Sequence, residues 1–588
     1  MGLPGYSTSS SSQPLESSDS SSSGFDLTNP SSWGPEKYGW KLHTDNSDLT
    51  LYDLAVIDVE DDGDGNFVGI GLAFPDSGRK EIFYFTTLPD GLKRYLAVMR
   101  FIAHAGRTDL HKLKKWGVNV RPEQLVFDTM QAAHTIDSTR RAYGLKDLAS
   151  ELLGIQYPEY KDLVGTGRNK TTLAGLPTEL VANYNGMDVL STWSLREHFA
   201  GAMGGCVGYF ETLEMPLSHV LYRMEEKGVR VSLQRLENLK KLLGERRNAL
   251  EARITKVLGS INLNSPKQLL AALNKQGIFP TLKRKASTDK RALEAYKDKP
   301  VVQMLLKYSQ LETLLCSFIN PYLERGAEYV YPEFLQARTR TGRLACKSPN
   351  LQQIPARSLE GGAIRSAFIP SEGNVFWDGD FGQIEPRIMA HLSEDPVLSG
   401  MFNDGINFHR FTADRMGMSK DRAKVLNLSV GYRATSKSVS QQLKCSEEEA
   451  QIEIDRWWKM FPRLREWEAE VIAKCRADGF VTTLFGRKIK IEGINDPNSW
   501  KREAAERDAI NNLVQGSAAE IMKKALIDLD AANADIRVTV HDEALIEVPE
   551  DQAETLSKKY QELMEKCVSL NVPLVCEWRV GKSWAECH

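Results

Sequence analysis

The alternation of apolar and polar positions divides most of the chain into three regions. Across 51–200, short runs of β formers such as 54–60 alternate with helical stretches, which is typical of a compact α/β domain. From about 206 to 330, apolar residues recur at helical spacing between charged ones, which predicts a long helical pair or bundle. Strand patterns return at 375–381 and 536–548, on either side of a mostly helical stretch. We therefore expect an α/β protein with several domains.

Length and composition bound this picture. A chain of 588 residues exceeds what one core usually supports, so two to four domains are expected. Residues 7–24 are mostly serine, and we expect a disordered tail over 1–47. Without a signal-like segment or an 18-residue apolar run, the protein is expected to be soluble and cytoplasmic. Eight cysteines without Cys-x-x-Cys spacing predict neither a zinc site nor disulfides, and a net charge of -3 does not decide nucleic-acid binding.

Two aspartates lie among strand formers far apart in the chain. Asp380 ends the apolar run that begins at Asn374, and Asp542 lies at a bend between the runs 536–540 and 544–548. If the fold brings them together, they form a carboxylate pair able to hold two magnesium ions, as in nucleotidyl-transfer enzymes. The alternative for Asp542 alone is an ordinary turn aspartate.

Cationic and aromatic side chains recur every four residues between these strands. The stretch 420–432 carries Lys420, Lys424, Leu428 and Tyr432, which would share one helix face and suit a nucleoside triphosphate. The alternative is an amphipathic helix that packs its leucine and tyrosine inside. Further donors that could follow a duplex along its minor groove are Arg343 and, on a second predicted helix, Arg507, Asn511 and Gln515.

Together these motifs resemble the family A DNA polymerases, of which bacterial DNA polymerase I is the type member. The resemblance runs from Glu214 to His588. Its matching segments are Thr341–Arg343, Asn350–Pro355, Asp380–Arg387, Phe408–Arg410, Lys420–Tyr432, Arg507–Gly516 and Val540–Glu543.

The resemblance implies a right-hand polymerase domain over 206–588, with a thumb at about 225–335 and palm and fingers at 336–588, the fingers covering about 395–510. Asp380 and Asp542 would hold two metal ions that activate the primer 3′-hydroxyl and stabilise the leaving pyrophosphate. Lys424 would donate a proton to the pyrophosphate, and Glu385 would exclude a 2′-hydroxyl. The remaining residues implied in nucleotide or primer-template binding are Arg343, Gln383, His409, Lys420, Leu428, Tyr432, Arg507, Asn511, Gln515, His541 and Glu543.

The chain departs from the family pattern at several of these positions. Leu428 stands where the family has phenylalanine or tyrosine, so an aliphatic contact replaces stacking under the incoming base. Lys420 replaces an arginine and gives up bidentate phosphate recognition. The other replacements are Phe381, Gly382, Pro386 and Arg433.

A second acidic set lies in the N-terminal region. Asp58 and Glu60 alternate on a predicted strand, roughly 6 to 7 Å apart on one side, and Tyr184 and Asp188 share a helix face. With Asp109, they resemble the tyrosine type of DEDD 3′-5′ exonucleases, which implies an RNase H-like domain over 48–205 with metal ions on the four acids and a water positioned by Tyr184. Ala105 and Thr108 replace the asparagine and the aromatic of the second motif, so the alternative is a structural remnant.

We therefore expect a template-directed DNA polymerase with proofreading that uses primer-template DNA, deoxynucleoside triphosphates and Mg²⁺, with Mn²⁺ as a substitute. A phage-type replicative enzyme without a 5′ nuclease domain is expected, as a monomer without a thioredoxin clamp or membrane contact, and with helicase and primase as candidate partners. One alternative is a repair or lesion-bypass polymerase with a weak or inactive exonuclease. Another is a non-catalytic DNA-binding protein on a polymerase fold.

Overall fold

A computed structural model describes residues 25–44, 52–167, 170–282, 284–355 and 358–588. The chain forms two compact units. The first contains Met1–Gln124 and Gly144–His198, and the second contains Leu125–Tyr143 and Phe199–His588. The segment Leu125–Tyr143 thus belongs to the second unit, although it lies within the predicted range 48–205.

The predicted disordered tail is wrong for residues 25–44, and its other parts, 1–24 and 45–47, lie outside the described residues. Two 3-10 turns, Pro30–Ser32 and Pro35–Tyr38, precede a strand, Lys41–His43, that pairs in parallel with Glu81–Phe85. Trp33 and Trp40 are buried, and the Trp40 ring packs edge-on against Trp193 with 5.1 Å between centroids. The serine-rich composition ends before this segment, and the two tryptophans supply apolar area whose burial offsets the entropy of ordering.

The first unit is built on a mixed sheet, which confirms the predicted alternation of strands and helices. Its strands lie in the order Lys41–His43, Glu81–Phe85, Phe67–Ala73, Leu54–Asp61 and Arg100–Ala103. The central strand Leu54–Asp61 pairs antiparallel with Phe67–Ala73 and parallel with Arg100–Ala103. The helices of this part of the chain are Asp90–Leu96, Arg107–Lys115, Leu145–Leu153, Tyr160–Val164 and Thr178–Ala202.

The second unit is mainly helical from about residue 206 to 330, as predicted, and its earlier segment Leu125–Tyr143 adds one more helix. Its early helices are Thr129–Ile136, Val207–Tyr209, Met215–Lys227, Leu233–Leu258, Pro266–Lys275, Lys290–Glu294, Pro300–Leu314 and Asn320–Arg325. Short antiparallel ribbons pair Val229–Arg230 with Tyr329–Val330, Thr281–Leu282 with Lys285–Ala286, and Glu333–Leu335 with Ala345–Lys347. Residues between Ile254 and Tyr308 form a hydrophobic cluster of their own, apart from the main core of the unit.

A four-stranded antiparallel sheet lies at the centre of the remaining chain and confirms the strands predicted near 375–381 and 536–548. Its order is Asp535–Val540, Glu543–Pro549, Asn374–Phe381 and Cys576–Gly581. Phe376 and Trp377 are fully buried, which explains why an apolar run forms a central strand here. A further ribbon pairs Phe480–Thr482 with Lys488–Lys490. The helices around the sheet are Leu359–Arg365, Ile384–Ser393, Pro396–Asn403, Phe408–Met416, Lys420–Val430, Ser436–Leu443, Glu447–Met460, Pro462–Asp478, Ser499–Ala531 and Ala553–Lys566.

The structure also bears on membranes and thiols. Among the described residues, no helix combines the length and the apolar character needed to cross a bilayer. All eight cysteines are free thiols, and five of them are buried: Cys206, Cys346, Cys475, Cys576 and Cys587.

Candidate active sites

The four-stranded sheet brings Asp380 and Asp542 together. Asp380 lies near the end of the strand Asn374–Phe381, directly opposite Glu543, and Asp542 occupies the turn that precedes Glu543. The backbone N–H of Phe381 donates to the Asp542 carbonyl at 3.1 Å, and this hydrogen bond holds the two aspartates next to each other. His541, the other turn residue, has a left-handed φ of 55°, which suits the tight two-residue hairpin.

Burial shifts both carboxyl groups, and the charge of Asp542 adds to the shift of Asp380. Burial, followed by the charge of Asp542, raises the pKa of Asp380 to about 7. Burial also raises the pKa of Asp542, although the Arg343 charge opposes the shift. Two adjacent carboxyl groups with raised pKa values, whose oxygens are hard donors, match the requirements of a divalent cation.

Arg343 and Glu385 lie next to this pair of aspartates. Glu385 lies in the first turn of the helix Ile384–Ser393, and Arg343 comes from the loop 336–344, which joins the strands of a ribbon. The Arg343 guanidinium donates to Glu385 and lies 3.8 Å from a carboxylate oxygen of Asp542. Arg343 therefore links the predicted sugar gate to a predicted metal ligand.

Glu543 is held by groups that the sequence reasoning missed. Trp584 Nε1 donates to Glu543 at 2.9 Å, and His588 Nε2 lies 3.3 Å from both Glu543 and the buried Asp378. Burial alone would raise the pKa of Glu543, but the hydrogen bond from His588 and the charge of Arg365 lower it overall. The signal that could have revealed Asp378 is its position two residues before Asp380, which puts both side chains on the same face of the strand.

The helix Lys420–Val430 presents most of the predicted nucleotide face. Ser419 caps it by accepting from the Arg422 backbone, and Leu428 is 47% exposed. The prediction that Tyr432 belongs to the same helix is wrong, because the helix ends at Val430 and Tyr432 lies in the following turn. A cavity is nevertheless lined by Leu428, Tyr432 and Glu385, so the turn brings the phenol back beside the predicted gate.

His409 is oriented by Asn427, a residue that the sequence reasoning also missed. The Asn427 Oδ1 atom accepts from Trp457 Nε1 at 2.7 Å and from Thr412 Oγ1 at 3.0 Å, so its Nδ2 must be the donor toward His409 Nδ1 at 3.1 Å. Burial, Lys424 and Lys420 lower the pKa of His409. The neutral ring therefore carries its proton on Nε2.

The remaining predicted polymerase residues lie directly before the helix Ile384–Ser393 and along a long helix further on. The Gln383 Oε1 atom accepts from the backbone of Phe408 at 3.2 Å, so this side chain anchors the helix Phe408–Met416. The helix Ser499–Ala531 carries Arg507, Asn511 and Gln515, all half-buried. Gln515 Nε2 donates to Asn511 Oδ1 at 3.0 Å, which aligns the two amides along one face.

The first unit gathers three of the four predicted exonuclease acids. One oxygen from each of Asp58, Glu60 and Asp188 lies within 4.8 Å of the others. Asn185 Nδ2 donates to Asp58 at 2.7 Å, and this approach requires Gly71 opposite Asp58, because a Cβ there would lie 2.1 Å from the Asn185 oxygen. Asp109 lies buried on the helix Arg107–Lys115, outside that triad but close enough for its charge to act on it.

The charges of this triad oppose one another. Burial, then Glu60 and Asp188, raise the pKa of Asp58 well above its usual range. Burial and Asp188 raise the pKa of Glu60 to about 8. Burial likewise raises the pKa of Asp188. The charges of Lys112 and Lys146 oppose these shifts without cancelling them, and such a set of close carboxyl groups fits one or more divalent cations.

Tyr184 and Asp188 are each contacted by a residue that no sequence motif indicated. Lys146 Nζ donates to the Tyr184 phenol oxygen at 2.7 Å and lies 4.0 Å from its ring centroid. Tyr157 donates to Asp188 at 2.6 Å. Burial and the charge of Asp188 raise the pKa of Tyr184, so its O–H proton remains available for donation.

The second exonuclease motif runs into a regular helix, Arg107–Lys115, despite its two replacements. Thr108 lies in the first turn of the helix that carries Asp109. Ala105 has a φ of 57°, a conformation in which asparagine or glycine would be less strained than alanine.

Taken together, an antiparallel sheet with paired aspartates and a second unit with a carboxylate triad are the features of the class of proteins that combine a polymerase domain with a nuclease domain. Comparison with known families agrees. Residues 233–586 match the family model of DNA polymerase family A, and residues 57–203 match a 3′-5′ exonuclease model. The chain belongs to DNA polymerase family A.

Known relatives are bacterial polymerases. The chain is 32% identical to DNA polymerase I of Pseudomonas aeruginosa over 521 residues, covering 83% of this chain and 56% of that protein. It is 33% identical to DNA polymerase I of Bacillus subtilis over 494 residues, covering 78% of this chain and 55% of that protein. The chain thus spans little more than half the length of these relatives. A solved structure, the polymerase domain of Pol1 from M. smegmatis in complex with DNA primer-template and dNTP, has a TM-score of 0.80 and 28% identity and covers 93% of this chain and 100% of that one.

Proposed function

We propose that the protein is a DNA-directed DNA polymerase that extends a primer with deoxynucleotides and removes mismatched 3′ nucleotides at a separate site. The observation that carries the proposal is the adjacency of Asp380, near the end of its strand, and Asp542, in the turn before the next strand, together with the cavity that Glu385 lines with Leu428 of the helix Lys420–Val430. The complex of the M. smegmatis polymerase domain with primer-template and dNTP supports these substrates.

The polymerase residues divide the substrate between them. Lys420, Lys424 and His409 would bind the triphosphate, with His409 donating through Nε2 because Asn427 occupies Nδ1. The primer 3′ oxygen forms a bond to the α-phosphorus while the bond to the pyrophosphate oxygen breaks, and Lys424 supplies a proton to the leaving pyrophosphate. Leu428 and Tyr432 would contact the base beside Glu385, which would limit the space at the sugar 2′ position.

Asp380 and Asp542 would hold divalent cations, for which we propose Mg²⁺ with Mn²⁺ as a substitute. When bound, such ions neutralise phosphate charge and lower the pKa of the attacking hydroxyl. Arg343 would contribute by holding Glu385 in place and by contacting the primer-template near Asp542. Arg507, Asn511 and Gln515 would continue this contact along the helix Ser499–Ala531.

In the first unit, Asp58, Glu60, Asp109 and Asp188 would hold the corresponding cations. Tyr184 would donate its O–H to the attacking water or to the scissile phosphate, since Lys146 already binds a lone pair of the phenol. Water adds to the terminal phosphorus, the bond to the 3′ oxygen of the primer breaks, and a nucleoside monophosphate leaves.

The wider setting is also part of the proposal. We infer cytoplasmic action on genomic DNA, and contacts with helicase and primase, from the polymerase activity. A monomer is proposed as the working unit. Replication of a phage genome, rather than repair of a bacterial one, stays a prediction.

The direct test is primer extension by Asp542→Asn, which should lose at least about a thousandfold in rate because half of the carboxylate pair no longer carries charge. The matched control is Asp551→Asn, an exposed acid nine residues further on, which should extend at the wild-type rate. Full extension by Asp542→Asn would remove the paired aspartates from the mechanism. For the editing site, Asp58→Ala should stop release of a mismatched 3′ nucleotide in the absence of triphosphates.

A further inference from the structure

The helix Thr129–Ile136 lies within the sequence range of the exonuclease family but belongs to the polymerase unit. Asp128 begins it by accepting from the backbone of Met130 and Gln131. His134, near its end, is 2% exposed, and its ring packs edge-on against Tyr143. A buried imidazole needs a partner for its polar atoms, and this one finds its partner in the loop 336–344.

The imidazole donates to the main chain of that loop. His134 Nε2 lies 2.9 Å from the carbonyl oxygen of Thr339. Burial and the charge of Arg487 lower the pKa of His134 to about 3, so the ring is neutral and carries a single N–H. Because a carbonyl can only accept, that proton is on Nε2.

Thr339 is the residue that closes the loop on itself. Its carbonyl also accepts from the Gly342 backbone at 3.1 Å, and its hydroxyl donates to the Arg343 carbonyl at 2.7 Å. Gly342 has a φ of 78°, and a Cβ there would lie 2.1 Å from Arg487 Nη1. The carbonyl of Thr339 is therefore the point at which His134 can fix the turn that ends in Arg343.

Buried charged side chains also bind this loop. Arg487 is fully buried and donates to the Arg340 carbonyl at 3.3 Å. Gln336, at the start of the loop, donates to Glu214, which is paired with the buried Lys523. Anchored in this way, the loop presents Arg343 to Glu385 and Asp542.

We propose that His134 is a positioning residue of the polymerase site, holding the Thr339 carbonyl so that Arg343 reaches Asp542 and Glu385. The inference rests on the proposed polymerase function and adds to it a residue from a segment that the sequence places in the exonuclease region. His134 touches no substrate in this account and acts through the loop alone.

The test compares His134→Leu, which lacks the donor, with His134→Gln, whose amide can donate from nearly the same place. In steady-state primer extension, His134→Leu should lower kcat/KM for primer-template about tenfold, the effect of losing a buried hydrogen bond, while His134→Gln should stay within about threefold of wild type. If His134→Leu does not fold, His134→Phe keeps the ring volume without the donor and takes its place. Wild-type kcat/KM in His134→Leu or His134→Phe would overturn the proposal.

A double-mutant cycle separates positioning from general destabilisation. In an Arg343→Ala background, His134→Leu should cost less than about twofold, because the residue through which it acts is gone. An unchanged tenfold cost in that background would also overturn the proposal. If the wild-type protein does not extend primers, the proposed function is wrong, but amide hydrogen exchange still tests the role of His134. The amides of loop 336–344 should exchange faster in His134→Leu than in wild type or His134→Gln. Equal exchange rates in all three proteins would refute the inference.

Discussion

Neutralising one ligand of the exonuclease triad should stabilise the cation-free protein. In Glu60→Gln, the amide keeps nearly the same shape but removes one of three closely spaced acidic groups. The pKa of Glu60 is raised from 4.5 to about 8, which corresponds to about 5 kcal/mol at ~1.4 kcal/mol per pKa unit. Because the amide of the variant still loses hydration on folding, we expect only part of this, a gain of about 1–2 kcal/mol at pH 8, or about 3–6 °C in Tm for a unit of this size.

The sign of the pH dependence follows from the same pKa. Between about pH 4.5 and 8 the folded state binds more protons at Glu60 than the unfolded chain does, so stability falls as pH rises through this window. The assay is thermal unfolding of wild type and Glu60→Gln with a chelator at pH 6 and pH 8, repeated with excess Mg²⁺. The variant should gain at pH 8 with chelator and lose its advantage when Mg²⁺ neutralises the triad.

The neighbouring Asp61 provides a matched control of opposite sign. It lies next in sequence, and Lys112 at 2.7 Å and the Gly63 backbone N–H overcome the effect of burial and lower its pKa. Asp61→Asn should therefore destabilise slightly, by about 0.5 kcal/mol. A Glu60→Gln protein no more stable than wild type in chelator at pH 8 would refute the reasoning about repulsion in the triad.

Three other predictions concern the polymerase site. The pKa of about 7 for Asp380 means that protons compete with cations for this carboxylate. When Mg²⁺ is limiting, the rate of primer extension should therefore fall as pH falls from 8 to 6 and recover when Mg²⁺ is added. A pH profile that is the same at every Mg²⁺ concentration would contradict this. Asn427→Asp keeps the acceptor for Trp457 but loses the donor to His409. We expect about a tenfold lower rate of nucleotide addition with unchanged affinity for primer-template. A lower affinity for DNA with an unchanged rate would contradict the assigned role of Asn427. Leu428→Tyr should change the discrimination against dideoxynucleotides, measured by competition in primer extension, and identical discrimination would show that this position does not contact the sugar or base as inferred.

The sequence predicted the parts of the sites that follow local periodicity. Asp380 and Asp542 were located because each ends a run of strand formers, and the register of the sheet then brings them together. Asp58 and Glu60 were found through the two-residue repeat of a strand, and Lys420 and Lys424 through the four-residue repeat of a helix. These predictions required only the geometry of a single element.

Contacts between distant segments were outside the reach of that reasoning. Lys146 and Tyr157 reach Tyr184 and Asp188 from other helices or loops, and no spacing along the chain indicates such a meeting. The helix containing Tyr432 was extended too far because the four-residue repeat continues past Val430, whereas the backbone turns there.

Membership of a compact unit was equally hard to predict. Residues 125–143 continue the pattern of strand and helix of the region before them, yet they belong to the polymerase unit. Composition is the same on both sides of such a boundary, so only tertiary packing decides it. Residues 25–44 were equally hard to predict, because the serine-rich stretch before them suggests disorder, whereas the burial of two tryptophans orders them.

In the proposed mechanism, one carboxylate pair adds nucleotides and a separate carboxylate triad removes them. The most direct measurement follows a labelled primer with a mismatched 3′ end on a template, with and without triphosphates, in Asp542→Asn and Asp58→Ala. Asp542→Asn should shorten the primer at the wild-type rate and never extend it, whereas Asp58→Ala should extend matched primers at the wild-type rate and never shorten mismatched ones. Loss of both activities in either correctly folded variant, or of neither, would contradict the assignment of two independent sites.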